Sequence, residues 1–366
     1  MDILIIGSGL MGRAIAYDLY NYSNFNKITI VDKDQKSLDS AQDFLKTNDI
    51  DFCILDIDKK DDVKNYFKNY DIAISAVPYT YNLFLTKIAI DTNTHFFDLG
   101  GNNTIVDQQK NLSDSAKKNY VTIVPDCGLA PGLASVVVAD IVDFLDSIEF
   151  VKIRVGGLPI DPKQPLNYQI VFSPNGLINE YVEDAIVLDH GKIVTKKSMT
   201  EIEKIKFPEP FGELEAFNTS GGCSTMPYTY KNKINYLDYK TIRYPGHCER
   251  FIPLLDIRPR EKLIEYLRET LPYNKKDVVL MKVFSKGKKD DKIINLEYTM
   301  IDYYDEKNNI TSMMRTTAYP VSITAQMIEK SLINKHGVFC SEEIVPSKSF
   351  FEELKKRNII IDRKMV

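Results

Sequence analysis

Residues 3–19 constrain the fold more than any other stretch. Ile3-Leu4-Ile5-Ile6 is a short apolar run rich in β-branched side chains. It leads into Gly7-Ser8-Gly9-Leu10-Met11-Gly12 and then Arg13-Ala14-Ile15-Ala16-Tyr17-Asp18-Leu19. A strand, a glycine turn and a helix make the first unit of a dinucleotide-binding fold. Gly7 permits the tight turn, Gly9 lets the backbone approach a pyrophosphate, and Gly12 lets the helix lie close to the strand; Ser8, Leu10 and Met11 complete the loop. The phosphates then meet N–H groups at a helix N-terminus, where the macrodipole favours negative charge. A second strand, Lys27-Ile28-Thr29-Ile30-Val31, ends in Asp32, about 20 residues past Gly12, where an acid accepts hydrogen bonds from an adenosine ribose. Such a carboxylate repels a 2′-phosphate, so the expected cofactor is NAD rather than NADP, with Lys33 softening the discrimination.

Further strand-like runs follow at Asp51–Leu55, Asp71–Val77, His95–Asp98 and Tyr120–Val124. Helix-like stretches separate them at Lys36–Leu45, Asp61–Asn69, Tyr81–Asp91 and Val106–Lys118. This alternation predicts an α/β domain with a Rossmann-type, doubly wound parallel sheet, which binds ligands outside the carboxyl ends of its strands. Those ends are Asp32, Asp56-Ile57, Ala76-Val77-Pro78, Asp98 and Asp126-Cys127-Gly128, all candidate cofactor contacts. Asp56 and Ile57 flank the adenine or form a solvated loop. Ala76 to Pro78 pass the nicotinamide ribose or make an ordinary turn.

Beyond residue 146 the pattern changes. Ile148–Val155 reads as a strand and Gly156-Gly157-Leu158-Pro159 as a turn. Strands are expected at Leu166–Phe172, Ala185–Leu188, Val278–Ser285, Lys292–Tyr304 and Ile310–Thr317. Lys286–Lys289 with Asp290-Asp291 reads as a solvated turn. This predicts a second, α+β domain with a mostly antiparallel sheet. Late helices are expected at Tyr319–Asn334 and Ser349–Arg357. The expected division is a cofactor domain over 1–128, a substrate domain over 129–318, and helices over 319–366 that pack back on the first domain.

The chain has 366 residues, 27% of them charged, and a net charge of −4, which gives no electrostatic footprint for nucleic acid. Five cysteines with no CxxC pair argue against a disulfide framework or a structural metal site, and for a reducing cytoplasm. No signal peptide is expected, because the first strand starts at residue 3. No apolar run approaches the ~18 residues of a membrane span.

Several blocks occur in a fixed order: Gly156–Pro159, Pro165-Leu166-Asn167-Tyr168, Leu214–Gly222, Arg243-Tyr244-Pro245-Gly246-His247 and Arg315–Tyr319. With Asp126–Gly132 they resemble the saccharopine dehydrogenase-like family, and within it most the branch of L-lysine 6-dehydrogenases. The resemblance implies NAD-dependent oxidation of the ε-amine of L-lysine to 2-aminoadipate 6-semialdehyde, which cyclises to piperideine-6-carboxylate. It also implies an oligomer, most simply a homodimer. Saccharopine or carboxynorspermidine dehydrogenase activity is the enzymatic alternative. A dinucleotide-binding regulatory protein without turnover is the non-enzymatic one.

Such chemistry sets the chain three tasks: hold an α-carboxylate, hold an α-ammonium, and accept a proton. Arg243 is the candidate for the carboxylate, because a guanidinium matches it bidentately; the alternative is a structural ion pair. His247 is the candidate proton acceptor, or else a hydrogen-bonded structural histidine. Tyr168 is placed in the cleft or in the sheet. Glu215 or Asp126 would pair with an ammonium group, unless Glu215 is an exposed strand residue. Thr219, Ser220 and Gly221, with Gly222, offer hydroxyls and N–H groups to a carboxylate or form a plain turn. Arg315 belongs to the site or to an interface.

Overall fold

The computed structural model describes residues 1–273 and 276–366. The chain divides into two compact units. One comprises residues 1–136 and 314–354, the other residues 137–313 and 355–366.

In chain order the first unit begins with β1 (Asp2–Ile6), α1 (Leu10–Tyr22), β2 (Lys27–Asp32), α2 (Gln35–Leu45), β3 (Ile50–Ile54), α3 (Lys60–Phe67), β4 (Ile72–Ser75) and α4 (Asn82–Thr92). It continues through β5 (His95–Asp98), α5 (Asn103–Lys110), α6 (Ser113–Lys118), β6 (Thr122–Val124) and into α7 (Leu133–Phe144). The second unit carries β7 (Ser147–Pro159), α8 (Pro174–Val182), β8 (Ala185–Asp189), β9 (Lys192–Lys196), β10 (Glu203–Lys206) and β11 (Glu213–Asn218). After these come α9 (Met226–Tyr230), β12 (Ile234–Arg243), α10 (His247–Phe251), α11 (Arg260–Thr270), β13 (Asp277–Lys289) and β14 (Lys292–Tyr303). The chain returns to the first unit along α12 (Ser312–Glu329), then β15 (Gly337–Val338), α13 (Ser341–Ile344) and α14 (Ser347–Lys356), and closes with β16 (Asp362–Met365).

The first unit holds a seven-stranded, all-parallel sheet in the order β15-β6-β5-β4-β1-β2-β3. The order reverses at β1, so the crevice past its carboxyl end is the place for a ligand. Ile3 to Ile6 and Ile72 to Ile74 are buried, as expected of strands covered on both faces. Leu4, Ile6, Val31, Phe67 and Phe96 anchor one apolar layer. The second unit holds a nine-stranded mixed sheet along β10-β11-β12-β7-β13-β14-β16, with β8 and β9 attached at β12. Among the described residues only the β12–β7 pair is parallel in it. The doubly wound sheet and the mostly antiparallel one are as the sequence predicts.

Several local expectations are corrected. Gly156 to Pro159 is the end of β7 and not a turn. A Cβ on Gly156 would lie 2.4 Å from the Ile242 carbonyl oxygen, and one on Gly157 would lie 2.4 Å from Met313 Cε. These glycines serve close approach inside a sheet. Leu166 to Phe172 is irregular; Asn167 is left-handed (φ 51°) and only Ile170 makes a bridge, to Tyr273. Ile310–Thr317 is not a strand, because α12 starts at Ser312. The Asp277 carboxylate takes the N–H groups of Ser312 (2.6 Å) and Met313 (2.9 Å), a cap supplied from another strand. Lys286–Lys289 stays in β13, and the turn is made by left-handed Asp290 and Asp291. Val106–Lys118 is two helices, α5 and α6. Among the described residues no helix is long and apolar enough to cross a membrane, and no three His, Cys, Asp or Glu side chains are placed to hold a metal ion.

Candidate active site

In the first unit the chain leaves β1 through Gly7, whose φ of +101° favours glycine. A Cβ on Gly12 would lie 1.8 Å from the Gly7 carbonyl oxygen, so the first turn of α1 presses against the turn before it. Around Gly9 the space is open, with no atom within 4 Å of where a Cβ would stand. Gly9 is also the N-cap of the 13-residue α1 and provides no side-chain cap. Leu10 and Met11, at the start of the helix, are partly buried. An uncapped helix N-terminus under open backbone suits a pyrophosphate.

Asp32 ends β2, and its Oδ2 accepts from Ser8 N at 2.8 Å and Ser8 Oγ at 2.9 Å; Oδ1 accepts from Asp34 N at 3.1 Å. The carboxylate is thereby fixed beside the glycine loop, where a ribose would be read. Ala76 N donates to the Ile6 carbonyl, which ties the end of β4 to β1 beside Val77 and Pro78. Asp56 Oδ1 takes Asp58 N in a local turn, and Ile57 is buried in the apolar core.

The ends of β5 and β6 are bound to each other. Asp98 is fully buried; Oδ1 accepts from Gly100 N (2.8 Å) and Asp126 N (3.3 Å), and Oδ2 from Gln109 Nε2 (2.7 Å). Burial raises its pKa against the pull of those donors. Asp126 is buried and left-handed, and Gly128 bridges Gly132. Burial pushes the Cys127 thiol up to about 11, so it stays protonated, with its sulfur 3.3 Å from Thr324 Oγ1. Asp98 therefore braces two loops. Arg315 is a buried residue of this unit, its guanidinium 5.7 Å from the Tyr319 ring centroid.

In the second unit the structure brings Arg243, His247 and Tyr168 together, and adds Glu180 and Tyr181 of α8. Arg243 ends β12 and is buried. Its Nε donates to Tyr181 Oη at 2.8 Å and its Nη1 to the Ile242 carbonyl at 2.9 Å; its Cζ lies 4.6 Å from the Tyr168 ring centroid. Among the described residues, Nη2 makes no hydrogen bond and no carboxylate pairs with the group. Burial opposes its charge, but Tyr181, Tyr168 and Glu180 outweigh that and hold its pKa above the usual value. Buried Arg154 of β7 is different: Asp238 grips it at 2.9 and 3.0 Å, and Glu203 joins it. A buried cation without a paired anion is costly.

His247 carries both ring nitrogens in bonds, Nδ1 to the Leu166 carbonyl and Nε2 to Tyr181 Oη, each at 3.0 Å. The carbonyl only accepts, which assigns the proton to Nδ1 and makes Nε2 the acceptor from Tyr181. A chain of donors therefore runs from Arg243 through Tyr181 and His247 to Leu166. Burial and the Arg243 charge push the His247 pKa down to about 3. A neutral, doubly bonded imidazole orients Tyr181 and is a poor proton acceptor.

Tyr168 is buried, and its hydroxyl has no hydrogen-bond partner among the described residues. Burial pushes its pKa to about 12. Glu215 is buried, not exposed. It stands opposite Arg243 in register, yet it turns both oxygens to backbone, accepting from Gly246 N and Cys248 N at 2.7 Å each. It builds the turn that aims Arg243 and His247. Thr219 Oγ1 meets Thr241 Oγ1 at 2.7 Å, and Ser220 N and Oγ bond the carbonyls of Glu180 and Asn179. Gly221 turns there with φ +87°. This segment fastens the end of α8. Glu180 and Tyr181 are absent from the sequence reading, although Ser173-Pro174 marks the start of their helix: Ser173 is its N-cap and Pro174 its first residue.

A family model described as the saccharopine dehydrogenase NADP binding domain matches residues 3–124, and one described as the saccharopine dehydrogenase C-terminal domain matches residues 128–360. The alpha-aminoadipic semialdehyde synthase of Rattus norvegicus is 25% identical over 199 residues, 52% of this chain and 21% of that protein. The NADP(+), L-glutamate-forming saccharopine dehydrogenase of Saccharomyces cerevisiae is 25% identical over 203 residues, 54% of this chain and 44% of that protein. The chain thus spans from about a fifth to under half of the length of these two relatives. Among solved structures, the apo S. cerevisiae saccharopine dehydrogenase (L-Glu forming) superposes with a TM-score of 0.82 at 19% identity, covering 100% of this chain and 99% of that one. The homospermidine synthase of Legionella pneumophila in complex with NAD superposes with a TM-score of 0.71 at 13% identity, covering 100% and 91%. At these identities the likeness shows the fold.

Proposed function

The chain belongs to the saccharopine dehydrogenase family, and on that premise we propose that it is an NAD-dependent amine dehydrogenase acting on the ε-amine of L-lysine. The observation that carries this reading is the buried Arg243, whose Nη2 bonds no described residue and whose guanidinium lies 4.6 Å from the ring centroid of Tyr168, a residue whose own hydroxyl is unpaired. Together they present donors to a carboxylate in a water-poor setting, where such bonds count most. Tyr181, held by His247, fixes the guanidinium plane. The residues that would hold the dinucleotide are Gly7 to Gly12, Asp32 and Ala76 to Pro78. It supplies the hydride acceptor.

The substrate loses a hydride from its ε-carbon and a proton from its ε-nitrogen. Water adds to the imine, ammonia leaves, and the semialdehyde closes on its own α-amine with loss of water. An ε-ammonium has a pKa near ~10.4 and must be neutral before hydride leaves, so turnover should rise above neutral pH. The test is to incubate the protein with NAD and single amino acids and watch reduced cofactor appear. L-Lysine alone should give a signal and a product that reacts with aldehyde reagents. The likeness to enzymes named for saccharopine favours a second reading, a secondary amine with two carboxylate-bearing arms. Turnover of saccharopine with silence on lysine would select it. Silence with every amine while NAD binds would select a regulatory role.

A second expectation concerns cofactor choice. Asp32 is oriented by Ser8, and a carboxylate facing the adenosine ribose would repel a 2′-phosphate, so NAD should be preferred. Asp32→Ser should narrow that preference by about tenfold, the scale of one charge-assisted bond. Equal wild-type rates with NADP at equal concentration would refute this.

A further inference from the structure

We infer that Glu180 binds the α-ammonium of the substrate, forming with Arg243 a two-point clamp for an amino-acid headgroup. The inference rests on the reading of Arg243 as the α-carboxylate receptor.

Glu180 lies in the last turn of α8, next to Tyr181, whose hydroxyl takes the Arg243 Nε proton at 2.8 Å. Its backbone is fixed, because Ser220 N donates to its carbonyl at 3.0 Å. Its side chain is half-buried and makes no hydrogen bond or ion pair with any described residue. Two acids of the sheet are engaged elsewhere. Glu203 pairs with Arg154 and Lys240, and Glu215 holds the turn before α10. The charge of Glu180 acts on Arg243, Tyr168, Tyr181 and Tyr239, in keeping with its position on α8 next to Tyr181.

An acid and a guanidinium in one cluster ordinarily close into an ion pair. These two stay apart, each with a free hydrogen-bonding edge. An α-amino acid carries the two complementary charges on a single carbon and satisfies both edges at once. The electrostatics agree: burial raises the Glu180 pKa to about 7 while Arg243 lowers it, as for a carboxyl that still lacks its cation. A simple amine offers neither charge, and a chain acid offers only one.

The clamp predicts which analogues suffer. Rates are compared for L-lysine and for 6-aminohexanoate, which keeps the carboxylate and the reacting amine but lacks the α-amine. Glu180→Gln should lower kcat/KM for lysine by about tenfold or more and for 6-aminohexanoate by less than about twofold, with NAD affinity unchanged. Glu180→Asp, which keeps the charge at a shorter reach, should recover part of the lysine rate. It also carries the comparison if the Gln variant melts at a lower temperature. Parallel losses on both substrates, in a folded variant of an enzyme that oxidises lysine, would overturn the role of Glu180 and leave the lysine reading standing. A wild-type protein that does not oxidise lysine would overturn that reading itself, and the clamp with it.

Discussion

Arg243→Lys is expected to lower kcat/KM for L-lysine ten- to hundredfold while leaving NAD affinity nearly unchanged. Lysine keeps the positive charge but has no fork, so it cannot offer two parallel N–H bonds to a carboxylate. It also gives up the Nε bond to Tyr181 at 2.8 Å, and Tyr181 then loses one end of its tether between Arg243 and His247. Losing one charge-assisted bond costs about 1.5–3 kcal/mol, which corresponds to that range of rates. Arg243→Met removes the charge as well and should cost more. The control is pentylamine, which lacks a carboxylate. Wild-type enzyme should oxidise it poorly, and the Arg243 variants should oxidise it about as poorly. Equal fractional losses for lysine and pentylamine, in a protein that still unfolds cooperatively, would assign Arg243 to structure.

That experiment probes the half of the molecule that was hardest to read from the chain. The first unit announces itself because its signals are local. Ile3–Ile6, the glycine loop and Asp32 lie within one strand–helix–strand stretch, and buried parallel strands read as plain apolar runs. The second unit is specified by partners distant in sequence. Asp277 caps a helix that starts at Ser312, so the apolar pattern of Ile310–Thr317 looked like a strand until its cap was known. Gly156 and Gly157 looked like a turn because the crowding by Ile242 and Met313 is invisible in a linear chain. Arg243 and His247 were recognisable by residue type and by the Pro245-Gly246 turn between them. Their roles were not, because those depend on Tyr181 and Leu166, which come from α8 and the loop before it. Glu215 shows the same limit. Its register opposite Arg243 suggests an ion pair, and only the geometry reveals that two backbone N–H groups take the carboxylate instead.

His247 also controls how the protein should respond to acid. Its folded pKa is about 3 against about 6.5 in an unfolded chain, because burial and Arg243 both disfavour the imidazolium. Between those values the unfolded state binds the proton and the native state does not, so stability rises with pH there. The contribution is complete above about pH 6.5 and is lost as pH falls toward 3. From pH 6.5 to pH 5 alone this amounts to about 2 kcal/mol. His95 in the first unit acts in the same direction, its pKa lowered to about 4 by burial and by His336. Buried Asp98 and Asp277 and half-buried Glu180 act in the opposite direction, since burial raises all three. Glu180 and Asp277 are raised to about 7, bind protons more readily in the native state, and therefore favour the fold as pH drops. The net slope mixes these signs, so a single-site comparison is needed. His247→Gln keeps an amide for Tyr181 and Leu166 but does not titrate. Its denaturant midpoint should lie below that of the wild type at pH 7, from poorer packing. Between pH 7 and pH 5 its midpoint should fall by clearly less than that of the wild type. Parallel curves across that interval would mean that His247 is protonated as easily in the native protein as in the unfolded chain. The neutral link between Tyr181 and Leu166 would then fall, and proton acceptance by His247 would return as its function.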